Sequence, residues 1–147
     1  MTLDIENECI FCQIVRGEAK CHCVYEDELS MGILDINPFS KGHCLIIPKR
    51  HVPWWHDLSE EETKSLFRGA RAVSHKIMKA FNPDFVAMYV RGRRIPHTHI
   101  FLVPTYSGDV LDRFFNALEG FQESTGVLAD LKRKEAMEEV AEKLRSM

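Results

Sequence analysis

The spacing of apolar residues along this chain changes several times, and each change marks an element. Ile10, Phe11 and Ile14 make a short helical turn over residues 10–16, closed by Gly17. Residues 22–26 and 29–36 read as two strands joined by the acidic turn Glu26-Asp27-Glu28. Asn37-Pro38 and Lys41-Gly42 then turn the chain into a strongly apolar third strand over 43–48. Ser59, with Glu62 three residues on, has the spacing of a helix capping box. Leu66, Ala70, Val73, Ile77 and Phe81 follow at steps of three and four, one face of a long helix that Asn82-Pro83 ends. Residues 85–90 form a fourth strand, Gly92-Arg93-Arg94 a turn, and residues 95–104 a fifth strand bounded by prolines. Residues 110–118 and 128–145 read as helices, the second with an apolar stripe of Met137, Val140, Ala141 and Leu144. This order predicts one α+β domain over 1–147 on a five-stranded, mostly antiparallel sheet, its core at about 9–106 and a helical extension at about 107–147.

Alternation along the fifth strand puts His97, His99 and Phe101 on one face. Two imidazoles side by side suit metal ligation, nucleophilic attack or general base work near neutral pH. Cys9-Ile10-Phe11-Cys12 holds two thiols at a spacing that clasps a tetrahedral zinc ion, although two unliganded buried cysteines have the same spacing. His51 and His97 would complete the set if the third and fifth strands are neighbours. Such a zinc is structural, since protein fills all four positions. His99 is then the free imidazole, able to attack phosphorus if a backbone carbonyl anchors its other nitrogen. Arg91, Arg93 and Arg94 crowd the turn before it, either to hold phosphate oxygens or simply to face solvent.

Composition narrows the partners. The chain has 147 residues, 45% hydrophobic and 28% charged, an ordinary balance for one domain without disulfide staples. Its net charge of −3 argues against broad electrostatic binding to nucleic acid or to an anionic membrane. No apolar run is long enough to cross a bilayer, and the acidic residues 1–8 do not read as a signal peptide. Five cysteines, an odd number, fit a reducing cytoplasm.

Five stretches carry a resemblance when taken in order: Cys9-Ile10-Phe11-Cys12, Val24-Tyr25-Glu26-Asp27-Glu28, Leu34-Asp35-Ile36-Asn37-Pro38, the run from Gly42 through His43 to His51, and Pro96-His97-Thr98-His99-Ile100-Phe101-Leu102-Val103-Pro104. Together they resemble the histidine-triad (HIT) nucleotide hydrolases and transferases across about residues 9–106. The resemblance implies a HIT-like fold. It also implies attack on the α-phosphate of a nucleoside phosphoramidate or dinucleoside polyphosphate, a nucleotidyl-histidine intermediate, and release of a nucleoside monophosphate.

It makes His99 the nucleophile, His97 the residue whose carbonyl anchors it, and Cys9, Cys12, His51 and His97 the ligands of a structural zinc. Asp35 would bind the ribose hydroxyls, and Ile10, Phe11, Ile14, Ile33 and Ile36 would line the slot for a purine base. A homodimer joined edge to edge is also implied. Two positions depart from the family pattern. Phe101 stands where the third histidine is expected, so the nucleotide site lacks that polar contact. The glycine-rich stretch before the triad is reduced to Gly92-Arg93-Arg94, where an arginine would supply a phosphate contact. Phe101 also supports a different class, a nucleotide sensor or partner-binding module with weak turnover.

Other motifs are weaker. Trp54-Trp55 reads as loop aromatics or as a substrate lip. Cys21-His22-Cys23 reads as structural, since strand alternation turns its thiols away from its imidazole. His43 and Cys44 read as core, His56 and His75 lack an evident partner, and Glu138-Glu139 with Lys143 reads as a solvated face.

Overall fold

A strand buried on both faces needs an unbroken apolar run, and Cys44–Pro48 supplies one: all five residues are buried. The computed structural model describes residues 8–124 and 126–147. This strand, β3, follows a helix α1 (Ile10–Val15) and strands β1 (Cys23–Glu26) and β2 (Ser30–Leu34). After it come a 3-10 turn at Trp55–Asp57, the long helix α2 (Glu60–Phe81), and strands β4 (Phe85–Val90) and β5 (Ile100–Thr105). The sheet order is β1-β2-β3-β5-β4, and every pairing is antiparallel. Because β5 rather than β4 lies beside β3, Leu45 pairs with Phe101 and Ile46 with Ile100. The third and fifth strands are therefore neighbours.

Alternation splits the core into two layers. Cys44, Ile46, Ile100 and Leu102 face α2 and meet its Leu66, Ala70, Val73 and Ile77. Leu45, Ile47, Met31 and Ile33 face the other way and pack with Phe11, Cys12 and Ile14 of α1. Both halves of the capping box close the start of α2, Glu62 N–H donating to Ser59 Oγ at 3.1 Å and Ser59 N–H to Glu62 Oε1 at 3.0 Å. Asn82, at φ 49° in the left-handed region, ends it.

Several boundaries differ from those read in the sequence. β1 begins at Cys23 and β3 at Cys44, one residue late, and β2 stops at Leu34 because Asp35 caps the next turn, its Oδ1 accepting Asn37 N–H at 2.7 Å. The largest difference is in β5, which starts only at Ile100. His97 and His99 thus lie on an irregular segment leading into the strand. The backbone there bonds elsewhere: Thr98 N–H donates to Val52 O at 2.7 Å, and His97 N–H to Ile95 O at 2.8 Å.

Residues 108–147 form a second compact unit. It contains α3 (Val110–Ser124), a 3-10 segment at Gly126–Lys132, and α4 (Lys134–Arg145). The first helix runs past residue 118, and the expected single helix over 128–145 is broken before Lys134, where Arg133 adopts an extended conformation. The stripe residues Met137, Val140 and Leu144 are exposed. No helix among the described residues is long and apolar enough to cross a membrane.

Candidate functional site

Four side chains from three separate segments converge on one point. Cys9 and Cys12 flank the start of α1, His51 follows β3, and His97 precedes β5; their four ligand atoms all lie within 4.8 Å of one another. His97 Nδ1 is 3.4 Å from Cys9 Sγ, 3.5 Å from Cys12 Sγ and 3.3 Å from His51 Nδ1, and Cys12 Sγ is 3.2 Å from His51 Nδ1. A tetrahedron with metal–nitrogen bonds of about 2.0–2.1 Å and metal–sulfur bonds of about 2.3 Å has edges of roughly 3.3–3.8 Å. Four of the six separations, at 3.2–3.5 Å, lie close to those edges, and the other two are within 4.8 Å. His97 Nε2–H donates to the Pro48 carbonyl at 2.8 Å, which leaves Nδ1 with its lone pair aimed at the cluster. Burial pushes the His97 imidazole down to about 4, so it is held in the neutral, ligating form. This is the one group of three or more His, Cys, Asp or Glu side chains among the described residues close enough to share a metal ion. Cys21 and Cys23 are not part of it; the Cys23 thiol donates to the Tyr25 carbonyl.

His99 is buried beside this cluster but outside it, only 5% exposed. Its Nδ1–H donates to the carbonyl of His97 at 2.7 Å, which fixes the tautomer and leaves Nε2 unprotonated. Burial lowers its pKa below the usual histidine value, partly opposed by the hydrogen bond to His97 and by the Asp35 carboxylate. The ring lies 5.1 Å from Phe11 and 4.8 Å from Phe101. Phe101 in turn stacks on Tyr89, centroids 4.5 Å apart and planes 14° apart. A neutral imidazole with one free nitrogen, walled by aromatic rings, can act as a nucleophile.

The remaining residues singled out in the sequence divide. Phe11, Ile14 and Ile33 are packed in the same cluster as Cys9 and Cys12. Ile10 and Ile36 are outside it, on the surface, Ile36 at 87% exposure. Gly92 is half-buried, while Arg93 and Arg94 are exposed. Trp54 and Trp55 are half exposed, and His56 and His75 are exposed.

His43 is a functional candidate that the sequence alone assigns to the core. It is indeed buried, yet its Nε2 has no well-aligned hydrogen-bond partner and lies 3.4 Å from Asp35 Oδ2. Phe39 N–H donates to its Nδ1 at 3.1 Å, so the proton sits on Nε2, facing the carboxylate. Phe39 stacks on one side of the ring, and Phe101 lies 5.9 Å away. The only signal in the sequence was a polar ring at the head of an apolar strand.

The HIT domain family model matches residues 16–108. Adenylylsulfatase HINT3 of Arabidopsis thaliana is 38% identical over 112 residues, which cover 73% of this chain and 57% of that protein. The chain thus spans little more than half the length of that relative. Adenosine 5'-monophosphoramidase hnt1 of Schizosaccharomyces pombe is 37% identical over 101 residues, 65% of this chain and 73% of that one. Among solved structures, a HIT family protein from Bacillus anthracis superposes with a TM-score of 0.77 at 28% identity, covering 95% of this chain and 96% of that one. A zinc-bound histidine triad family protein from Mycobacterium smegmatis gives 0.66 at 31% identity, covering 72% and 81%.

Proposed function

The chain belongs to the HIT family, and from that premise we propose that it hydrolyses or transfers nucleotides with His99 as nucleophile. The observation that carries the reading is the 2.7 Å bond from His99 Nδ1–H to the His97 carbonyl, which leaves Nε2 free to attack. Nε2 forms a bond to the α-phosphorus of a nucleotide conjugate, and the bond from phosphorus to the leaving group breaks. Water then attacks the nucleotidyl-histidine. It releases the nucleoside monophosphate and returns Nε2 to its starting form, its proton passing to solvent. Substrates in this reading are nucleoside phosphoramidates or dinucleoside polyphosphates; the relative named as an adenosine monophosphoramidase supports the first class, and the one named as an adenylylsulfatase supports hydrolysis of nucleotide conjugates in general.

Asp35, backed by His43, binds the ribose hydroxyls. Phe11, Ile14 and Ile33 form the floor for the purine, with Ile10 and Ile36 at its open edge. Gly92, Arg93 and Arg94 meet the phosphates, and Phe101 lines the site. Cys9, Cys12, His51 and His97 would hold zinc, which when bound would cross-link α1 to the segments that follow β3 and precede β5. Two copies pair through β4, the longer sheet edge, whose Phe85 and Met88 are more than half exposed. The five cysteines, none of them in a disulfide among the described residues, suit a reducing, cytoplasmic setting.

A second reading, a nucleotide sensor with weak turnover, rests on Phe101, which can donate no proton or hydrogen bond to a leaving group. AMP release from an adenosine phosphoramidate and a diadenosine polyphosphate, by wild type and His99→Ala, separates the two. Turnover abolished by the substitution supports the hydrolase. Micromolar AMP binding without turnover by the wild type supports the sensor.

A further inference from the structure

We propose that Trp54, Trp55, Arg93 and Arg94 form a second subsite, which takes the departing half of the substrate and favours one that carries both a flat ring and anionic charge. The inference rests on the hydrolase reading of the same site and narrows its substrate class.

Two large aromatics side by side at the surface ask for an explanation. Trp54 and Trp55 are 49% and 50% exposed, and among the described residues the one ring contact either makes is Trp55 edge-on to the exposed His56 at 5.9 Å. They are nevertheless held in place. The carbonyl of Val52, two residues before Trp54, accepts both the N–H and the Oγ1–H of Thr98, at 2.7 and 2.6 Å. Thr98 lies between His97 and His99, so the chain leading to the tryptophans is pinned to the candidate nucleophile's own segment. On the far side, Asp57 N–H donates to Trp54 O at 3.0 Å and sets the 3-10 turn that begins at Trp55.

The same stretch touches the arginine turn. A Cβ built at Gly92 would lie 3.6 Å from both Pro53 O and Ile95 O, so the loop carrying Arg93 and Arg94 runs against Pro53-Trp54. Nearby cations differ in their state of pairing. Lys49 pairs with Glu26 at 2.9 Å, and Arg50 makes a two-pronged bond to Glu62 at 2.9 and 2.7 Å. Arg93 and Arg94 are exposed and make no hydrogen bond or ion pair with any described residue. In a chain of net charge −3, two adjacent uncompensated guanidinium groups, on a loop that meets the one carrying two exposed indoles at Gly92 and Pro53, match one kind of ligand. Indoles stack on a nucleobase, and guanidinium forks hold phosphate oxygens. Ammonia, a simple amine or sulfate would leave the indoles unused.

During transfer, the bond from His99 Nε2 to phosphorus forms as the phosphorus–oxygen bond to the departing phosphate breaks. The departing group leaves as an anion, and Arg93 and Arg94 hold its charge. Water later takes the place of His99 on phosphorus.

Trp54 and Trp55 are the only tryptophans in the chain, so intrinsic tryptophan emission reads this surface directly. The test titrates ADP into His99→Ala protein already saturated with AMP. We expect AMP alone to leave the emission unchanged and ADP then to quench it, with a Kd at least 10-fold weaker once Arg93→Ala and Arg94→Ala are added. Emission indifferent to ADP would overturn the subsite. Kinetics supply the second arm: in Trp54→Ala/Trp55→Ala, the ratio of kcat/KM for diadenosine tetraphosphate to that for adenosine phosphoramidate falls at least 10-fold. An unchanged ratio would also overturn it and leave the hydrolase reading standing. That reading fails separately if His99→Ala releases AMP as fast as wild type does, and the quenching result then still decides whether the subsite exists.

Discussion

The carbonyl of His97 accepts the Nδ1–H of His99 at 2.7 Å, while the His97 ring points its own Nδ1 at Cys9, Cys12 and His51. One residue therefore anchors the candidate nucleophile through its backbone and the candidate metal cluster through its side chain. Anything that disturbs the cluster moves the carbonyl that fixes the tautomer of His99. Misplacement of a reacting group by about 1 Å can cost on the order of 100-fold in rate, so the two parts are expected to fail together.

Cys12→Ser tests that link. We expect zinc measured by elemental analysis to fall from about one ion per chain to near zero. The thermal midpoint should drop by about 10 °C or more, because several kcal/mol of ligand-linked stability is removed. AMP release should decline with it. A variant that keeps its zinc and its midpoint would remove the cluster from the account.

Phe101→His tests whether the aromatic at this position limits turnover. Phe101 stacks on Tyr89 at 4.5 Å, a contact that an imidazole can also make. We expect the substitution to raise kcat by 10-fold or more, with KM changing only a few-fold, since a placed donor acts mainly on the departing charge. Steady-state AMP release measures it. An unchanged kcat would mean that the missing polar contact is supplied elsewhere.

Glu62 sets a pH dependence of stability that is independent of the site. The Arg50 guanidinium, together with the Ser59 N–H and hydroxyl, holds its carboxyl at about 2, against 4.5 for an ordinary glutamate. Between those values the unfolded chain takes up a proton that the folded chain does not, so stability falls as pH drops from 4.5 towards 2. Above 4.5 the contribution is fully present. It amounts to about 1–2 kcal/mol, because the Arg50 partner is largely exposed. Urea unfolding at several pH values should show this fall in wild type and a flatter profile in Glu62→Gln, which retains the capping amide.

Gly42→Ala should be costly for two reasons that add. Gly42 has φ 98°, a conformation that side chains resist, and a Cβ there would lie 2.6 Å from Phe81 Cε2 at the end of α2. We expect a loss of about 2–4 kcal/mol in chemical unfolding, from backbone strain plus overpacking. A loss under about 0.5 kcal/mol would show that Phe81 moves aside freely. Gly42 precedes His43, so the Asp35–His43 contact should loosen as well, and AMP binding should weaken.

The sequence by itself determined the kinds of element and the faces they bury. The unbroken apolar run of residues 44–48 and the three-and-four spacing from Leu66 to Phe81 are local records of burial, on both faces of the strand and on one face of the helix, and the structure keeps both. It also held the Ser59–Glu62 cap and the spacing of Cys9 and Cys12 as two candidate donors, whereas their meeting with His51 and His97 depended on which strands lie side by side. Tertiary structure decided what lies beside what. Cys9 and His97 are 88 residues apart and meet only because the chain crosses over to set β5 next to β3. The start of β5 was settled by Thr98, whose backbone found Val52 in place of a strand partner, a choice no periodicity records. For the same reason the partnership of His43 with Asp35, and the approach of Gly92 to Pro53, were invisible in one dimension. Hydrophobic pattern fixes burial, whereas contacts between polar groups depend on which loops the finished sheet brings together.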